Sequence, residues 1–464
     1  MIDLFLTAFV FALFAAGLRK PFIWVLAYVY IDVLAPQKIS WFLLQKLPIS
    51  LIAFSLAFLG WAYADAKNGS RFTFRQTLIA VLLVYCGVTT ISADFPADAL
   101  AKWDWVWKAL VFAIFLPLTL RTRLRIEATA LVMVLTAGAI IIPAGIKTLA
   151  SGGGYGALHL LVNDNVGLYE GSILSTVAIA IIPLALWLAQ HGTLFKPDWR
   201  VKLFAWGLCF ACALMPVGTE ARTGLVCLAI LIAMSLRAVK RRFMYIALIG
   251  AAGLLAVSFL PASFTQRMET IGDHKADQSA STRLAVWQWT IAFAKDHPLG
   301  GGFDAYRQNH LSIEIVDTAA SGNTTAIETT TVTDKARAYH SAYFEMLGEQ
   351  GYPGLALWLL LHILGVWQME RIYRRHRYDP DPQAAWIAPL ALALQRSQIV
   401  YLVGSGFVGI AFQPFCYMIV ALQCGLWSWA RRRESLASPG PTRPPQRRSR
   451  PDATARPKVV ESVA

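Results

Sequence analysis

The amino-acid sequence predicts an all-α polytopic integral membrane protein with about 12–13 transmembrane helices and one long extramembrane loop domain. Of the 464 residues, 56% are hydrophobic and only 15% are charged, whereas about a quarter of the residues of a soluble domain are charged. The apolar residues collect in blocks of about 17 to 25, and a helix needs about 20 such residues to cross a bilayer. Each block is therefore predicted to span the membrane.

The blocks alternate regularly with short loops rich in Lys and Arg. The predicted spans lie at residues 2–17, 21–35, 48–65, 77–94, 104–120, 126–146, 171–190, 201–217, 223–238, 243–260, 341–368, 385–405 and 413–430. With this assignment the basic loops all fall on one side, as the positive-inside rule requires, with the N-terminus outside and the C-terminus inside. Because the first two segments are short, twelve spans is the alternative to thirteen.

The chain is predicted to have four parts. Residues 1–260 hold ten helices, 261–340 form the loop domain with amphipathic helices, 341–430 hold the last spans and 431–464 form a disordered basic tail. In the loop domain, "STRLAVWQWTIAFAKDHP" has the apolar periodicity of a helix, and the later "TAASGNTTAIETTTVTD" is polar and predicted to be mobile. The basic loops and tail account for the net charge of +14; they are expected to contact membrane lipids, so no nucleic-acid partner is predicted.

Arginines cluster at the predicted outer ends of the helices. Arg222 lies in "GTEARTG", at the start of a helix that is predicted to begin on the outer side. A helix N-terminus beside an arginine favours an anion, phosphate above all, because the guanidinium group binds phosphate bidentately. Arg283 and Arg337 are expected near the same site. The alternative is that these side chains reach lipid headgroups or pair with the acidic residues Glu220, Asp334 and Glu345.

His340 and Glu349 stand at the start of a later span, in "YHSAYFEMLGEQGYPGL". A neutral histidine at a helix N-terminus is suited to accept a proton, although an interfacial hydrogen-bonding role is the alternative. Glu349 falls inside the span, where a carboxylate requires a partner. Neighbouring Gly351 and Pro353 predict a kinked helix, so Glu349 is either a polar lock between helices or a functional group.

The sequence indicates neither a metal nor a cofactor. It contains no HExxH motif and no cluster of carboxylates of the kind that binds metal ions. All six cysteines lie in apolar runs. "CFAC" at 209–212 lacks a second ligand pair, so packing is the predicted role of these thiols.

Three pieces of the C-terminal half resemble, in order, the O-antigen ligase and polymerase superfamily. "EARTGL" at 220–225 resembles its Arg-containing motif at the start of a membrane helix. "RLAVWQWTIAFAKDHPLGGGFDAY" at 283–306 is similar to its periplasmic segment, and "YHSAYFEMLGEQGYPGL" at 339–355 to its histidine motif. The early "GLRKPFIWVLAYVYIDVLAPQKISW" also resembles ligase-like O-glycosylation proteins that accompany exosortase systems.

The resemblance implies an enzyme of the bacterial inner membrane with a periplasmic active site. It transfers a polysaccharide from undecaprenyl diphosphate to an acceptor hydroxyl, most simply that of lipid A–core, without a metal and with inversion. Arg222 and Arg283 match the arginines thought to hold the diphosphate, and His340 matches the histidine thought to activate the hydroxyl. Glu349 matches a recurrent helix glutamate. Further residues placed near this site are Tyr306, Arg337 and Glu220.

Two other interpretations remain. A polymerase or a protein O-oligosaccharyltransferase of the same superfamily would use a glycan or a protein hydroxyl as acceptor. A transporter or flippase is the non-enzyme alternative, and it would place ionisable groups near the middle of the bilayer. The predicted outer position of Arg222, Arg283 and His340 favours an enzyme with a lipid-linked substrate.

Overall fold

The structure is a computed structural model and consists of helices with one small pair of strands. It describes residues 2–67, 70–151, 167–236, 278–321 and 324–437, with isolated positions between 241 and 251. The α-helices of the described residues, apart from those isolated positions, are α1 (Ile2–Arg19), α2 (Phe22–Leu34), α3 (Pro36–Ile39), α4 (Leu43–Lys46), α5 (Ile49–Ala64), α6 (Phe74–Ile91), α7 (Pro96–Thr119), α8 (Arg123–Ser151), α9 (Gly171–His191), α10 (Trp199–Gly218), α11 (Arg222–Leu236), α12 (Gln278–Asp296), α13 (Ala342–His376), α14 (Ile387–Ser405) and α15 (Pro414–Ala437).

The helices confirm a polytopic all-α membrane protein. Every predicted span except 243–260 coincides with one of these α-helices, and 243–260 lies almost entirely outside the described residues. Among the described residues, seven helices are long and apolar enough to cross a membrane, and α2, α5 and α11 are shorter apolar helices. The total of twelve or thirteen spans stays a prediction.

Helix α9 lies at the centre of the bundle, against α8, α10, α11 and α14. Most of its side chains are buried. Small residues on its neighbours permit close approach, since a β-carbon added at Gly404 of α14 would lie 2.3 Å from Thr176, and one added at Gly224 of α11 would lie 1.9 Å from Ser175. Small residues serve this purpose in membrane bundles because van der Waals packing drives helix association there.

The basic loops meet at one end of the bundle, as the charge pattern predicts. Asp65 lies 2.6 Å from a guanidinium nitrogen of Arg121 and 2.6 Å from one of Arg125. Arg123 donates a hydrogen bond to the carbonyl of His191, and Arg433 pairs with acidic residues in the loop before α14. These contacts define the basic end. The other end of the bundle, where α13 begins, is called the opposite end below.

The loop domain differs from its prediction in one respect. Helix α12 forms where the apolar periodicity predicts it, but the polar segment predicted to be mobile pairs with the residues before it as an antiparallel hairpin. Strands β1 (His310–Ser321) and β2 (Thr324–Lys335) pair from His310 with Lys335 to Ser321 with Thr324. Threonine, valine and isoleucine make up most of β2, and β-branched residues favour strands whether or not they are apolar.

Helix α13 is broken at Gly351, which has φ 63° and ψ −166°. Pro353 has no N–H and therefore leaves the carbonyl of Glu349 without its helical donor. The loop that follows α12 replaces the lost hydrogen bonds. Gly302 donates to the carbonyl of Glu349 at 2.9 Å, Gly301 donates to that of Gly348 at 3.0 Å, and the N–H of Tyr352 turns out to Pro298 at 3.0 Å.

The glycines of "PLGGGFDAY" are required for this docking. Gly300 and Gly302 have positive φ angles of 87° and 79°. A β-carbon added to Gly300 would lie 2.4 Å from the carbonyl oxygen of Glu349, and one added to Gly302 would lie 2.4 Å from Ala93. The loop thus lies between the opposite end of α6 and the break in α13, with backbone against backbone.

We expect Gly300→Ala to destabilise the folded protein by at least about 2 kcal/mol, because alanine strains a positive-φ position and meets backbone that has no room to move. Thermal unfolding of the purified protein in detergent measures the effect. Gly207→Ala in α10 is the control, since nothing lies within 4 Å of a β-carbon added there. Equal unfolding temperatures for the two variants would contradict the docking role of Gly300.

Candidate functional site

A buried charge cluster occupies the opposite end of the bundle, next to the break in α13. The Lys102 ammonium lies 2.7 Å from Glu345, 2.8 Å from Glu349 and 3.9 Å from Asp304. The Glu349 side chain is fully buried, and only 13% of the Lys102 side chain is exposed. Glu349 therefore has the partner that a carboxylate inside a membrane helix requires.

The two glutamates of the cluster also accept hydrogen bonds from the backbone. Glu349 accepts a hydrogen bond from the N–H of Asp304 at 3.1 Å, and Glu345 accepts one from that of Ala411 at 3.0 Å. One cluster thus joins four segments: α7, α13, the loop after α12 and the connection between α14 and α15. Both interpretations of Glu349 stay open as to function, but its geometry is that of a lock between helices.

His340 lies just before α13 and is held by its neighbours in sequence. Tyr339 is buried, and its carbonyl accepts a hydrogen bond of 2.9 Å from the indole N–H of Trp287 on α12. The buried amide of Asn309 donates to the carbonyl of Arg337 at 2.7 Å and accepts from its N–H at 2.9 Å. Directly after these two attachments, and just before α13, His340 adopts φ 48°, which is an uncommon conformation for a residue other than glycine.

The environment of His340 favours its neutral form. His340 is exposed at the surface, but partial burial of its imidazole ring lowers its pKa, and the positive charges of Arg283 and Arg337 lower the pKa further. Arg283 and Arg337 therefore both lie within electrostatic range of His340, and a shared site for the three stays a prediction. A neutral imidazole can accept a proton at ambient pH, beside two cations that attract an anion.

Arg337 and Tyr306 border this group. Arg337 pairs with Asp334, as the alternative for the membrane-edge arginines proposes, and half of its side chain remains exposed. Tyr306 packs edge-on against Tyr339, with ring centroids 5.6 Å apart. Tyr306 thus supports the segment that carries His340.

Arg222 and Glu220 lie on a neighbouring part of the same end. Arg222 begins α11, so the structure confirms its predicted place at a helix N-terminus. Glu220 is buried in the turn between α10 and α11, with φ 50°. Both α11 and α13 pack against α14, so Arg222 and His340 stand at the same end of two helices that share a neighbour.

Several residues of this region escape sequence reasoning. Lys102 and Asn309 lie outside every motif of the sequence, Asp304 lies in the segment 283–306 without a predicted role, and Glu345 is predicted only as a partner for an arginine. The separation in sequence explains the omission, since Lys102 lies 247 positions from Glu349. Lys102 itself is a signal in the sequence, because a lysine at the end of an apolar helix requires an anionic partner.

A second polar network is buried within the bundle. Arg75 is fully buried and donates to the carbonyl of Leu361 at 3.1 Å. The amide of Gln398 lies 2.9 Å from Nδ1 of His362 and accepts a bond of 2.8 Å from Gln423. This network is the observation that favours the transporter alternative, since it places ionisable groups inside the bundle.

The six cysteines lie inside the protein. All six cysteines are free and buried, in agreement with a packing role. Within the described ranges, no group of three or more His, Cys, Asp or Glu side chains is placed to hold a metal ion.

Comparison with known families divides the chain in two. The sequence model of a family of unknown function (DUF5935) matches residues 1–193, and that of the O-antigen ligase family matches residues 207–359. The second match confirms the predicted relation to the O-antigen ligase and polymerase superfamily, and it contains all the predicted site residues. A search of curated proteins finds no match.

We expect Lys102→Met to destabilise the protein by about 3–5 kcal/mol, because it leaves two buried carboxylates without their cation. Adding Glu349→Gln to that variant should recover part of the loss, since it removes one of the uncompensated charges. The free energy of unfolding in mixed micelles measures both effects.

Lys108→Met is the control for this experiment. Lys108 lies on the same helix, but its partner Asp104 is 72% exposed, so its loss should cost less than about 1 kcal/mol. The assignment of a locking role to Lys102 fails if the two methionine variants are equally stable.

Proposed function

We propose that this membrane protein, whose residues 207–359 belong to the O-antigen ligase family, transfers a polysaccharide from undecaprenyl diphosphate to an acceptor hydroxyl, most simply one of lipid A–core. The proposal is supported by the electrostatic effect of Arg283 and Arg337 on His340, just before α13, and by the position of Arg222 at the start of α11. The site combines a proton acceptor with cations at the end of a membrane helix, where a lipid-linked substrate can reach it.

The positive groups act on the leaving diphosphate. As the bond between the sugar carbon and the diphosphate oxygen breaks, negative charge grows on that oxygen. Arg222 and Arg283 stabilise this charge, together with the N-terminus of α11, because fixed positive groups act most strongly where charge develops. Arg337 adds to the positive field at the entrance.

His340 acts on the acceptor. Its neutral imidazole accepts the proton of the attacking hydroxyl while the oxygen bonds to the sugar carbon from the side opposite the diphosphate. One displacement of this kind inverts the configuration and releases undecaprenyl diphosphate. The proton acceptor and the diphosphate-binding arginines are all protein groups, so the mechanism calls for no metal ion.

The membrane orientation follows from the charge distribution. By the positive-inside rule the basic end faces the cytoplasm, so the opposite end, with His340, faces the periplasm of a bacterial inner membrane. A lipid-linked donor then presents its diphosphate at the depth where α11 and α13 begin.

Two alternatives have specific support. The family match fits an O-antigen polymerase or a protein O-oligosaccharyltransferase equally well, and these differ from a ligase only in the acceptor. A transporter or flippase would use the buried network around Arg75 and His362. We favour the enzyme because the predicted site residues lie at the opposite end, next to the lipid headgroups.

Removal of the proposed base or of the first arginine should abolish transfer. We expect His340→Ala and Arg222→Ala to reduce it at least about a hundredfold, by analogy with the loss of a general base or of a charge-stabilising group. The assay combines purified protein in lipid, undecaprenyl-diphosphate-linked glycan and lipid A–core, with and without EDTA.

The control is His310→Ala, since His310 is exposed at the start of β1 and should be dispensable. Wild-type transfer by His340→Ala would refute the role of the base, and loss of activity in EDTA would refute the metal-free mechanism. Replacing lipid A–core by glycan or peptide acceptors separates the ligase from the polymerase and the oligosaccharyltransferase.

The pH profile should report the charge beside His340. Because Arg337 lowers the pKa of His340, Arg337→Gln should raise that pKa, and a base with a raised pKa is protonated at a higher pH. The acidic limb of kcat/KM should therefore move to higher pH. Arg307→Gln is the control, since Arg307 pairs with Asp98 at 3.0 Å. A limb that stays in place, or moves to lower pH, would exclude His340 as the titrating base.

A further inference from the structure

A cavity at the opposite end is separate from the residues around His340 and from the diphosphate site proposed above. Its volume is about 480 Å³, within the range of about 300–1,000 Å³ found for small-molecule sites. Its walls come from the end of α2, the first turns of α7, the start of α9, α13 and the connection between α14 and α15. Both family-matched segments therefore contribute to it.

The cavity is lined by planar polar groups and aromatic rings. Its polar side chains include Asp32, Gln37, Lys38, Lys102, Glu345 and Gln413, and its aromatic ones are Trp105, Tyr169, Phe412 and Phe415. Among the described residues, one carboxylate oxygen of Asp32 and the amide oxygen of Gln37 are buried and have no hydrogen-bond partner. A buried acceptor without a hydrogen-bond donor costs free energy, so a ligand that offers donors would stabilise these two oxygens.

We infer that this cavity is a carbohydrate subsite, which positions a sugar residue of one of the two glycan substrates next to the transfer site; the inference rests on the proposed glycosyl transfer. Sugar hydroxyls supply the donors that the oxygens of Asp32 and Gln37 lack. The apolar face of a sugar ring packs on aromatic side chains such as Trp105 and Tyr169.

The lining argues against the two other parts of a lipid-linked donor. Asp32 and Glu345 disfavour a diphosphate; of the two lysines in the lining, Lys102 is already bound to two carboxylates and Lys38 is exposed to solvent. A polyprenyl chain would leave the free oxygens unpaired. The contrast is a cavity of about 350 Å³ near the basic end, whose walls, including Leu131, Phe195, Phe204 and Leu208, are almost wholly apolar.

The charge cluster connects the cavity to His340. Glu345 and Lys102 form part of the cavity wall, and Lys102 also binds Glu349. Glu345 lies on the first turns of α13, directly after the segment that holds His340. A sugar bound against Glu345 is therefore held at the end of the same helix that begins beside the proposed base.

Direct binding tests the inference without a transfer step. Full-length protein in lipid nanodiscs is titrated with three probes: core oligosaccharide released from lipid A, the glycan chain released from its carrier, and undecaprenyl diphosphate without sugar. We expect wild-type protein to bind at least one oligosaccharide. Asp32→Asn and Gln37→Leu should each weaken that binding about tenfold, the effect of one lost hydrogen bond to a buried group.

The matched control is Asp104→Asn, which alters an exposed carboxylate of α7 outside the cavity and should bind as wild type does. Unchanged thermal unfolding shows that the variants are folded. The oligosaccharide whose affinity falls identifies the subsite as one for donor or for acceptor.

Three results would overturn the inference: no oligosaccharide binding by wild-type protein, unchanged affinity in both cavity variants, or an equal loss of affinity for undecaprenyl diphosphate. Failure of the proposed function has a different signature, namely no glycan transfer by wild-type protein, and it leaves the oligosaccharide affinities measurable.

Discussion

Hydrogen bonds exchanged between the glycine loop and the broken helix α13 are the constraint on which the candidate site depends. Backbone groups inside a membrane bundle must be paired within the protein, and Gly351 with Pro353 deprives α13 of its own pairing. The loop at 298–302 restores it, with glycines that allow backbone to touch backbone. The same contact fastens α12 to α13, so the helix that carries Arg283 is fixed relative to the one that begins beside His340.

The ion cluster around Lys102 extends this constraint to the rest of the bundle. Lys102 lies in the segment matched by a family of unknown function, and Glu345 and Glu349 lie in the O-antigen ligase segment. A fully buried charge pair is costly to separate because each partner would remain without compensation. The N-terminal segment is therefore part of the same folded unit as the ligase segment. With Asp32 and Trp105 it supplies one wall of the cavity at the opposite end.

Prediction from the sequence succeeded where a signal is local. Apolar blocks locate helices because the bilayer demands a fixed length of apolar chain, and the kink of α13 follows from a glycine and a proline in one turn. It failed for β2, where polar composition suggested mobility and β-branched threonines favoured a strand. For the candidate site, the sequence predicts that Arg283 and Arg337 lie near His340, and their charges do act on it, whereas Asn309, which holds the backbone of Arg337, carries no motif.

By itself the sequence determined the membrane class, the direction of the helices and the end of the bundle at which the ionisable site residues gather, because hydropathy and charge act on each segment separately. Only the tertiary structure decided which charged groups form ion pairs and which surfaces enclose a cavity. It placed Lys102 against Glu349 across 247 positions of sequence, and it formed a cavity from distant segments of the chain. Such contacts depend on how helices pack, and packing depends on side chains that have no common pattern along the chain.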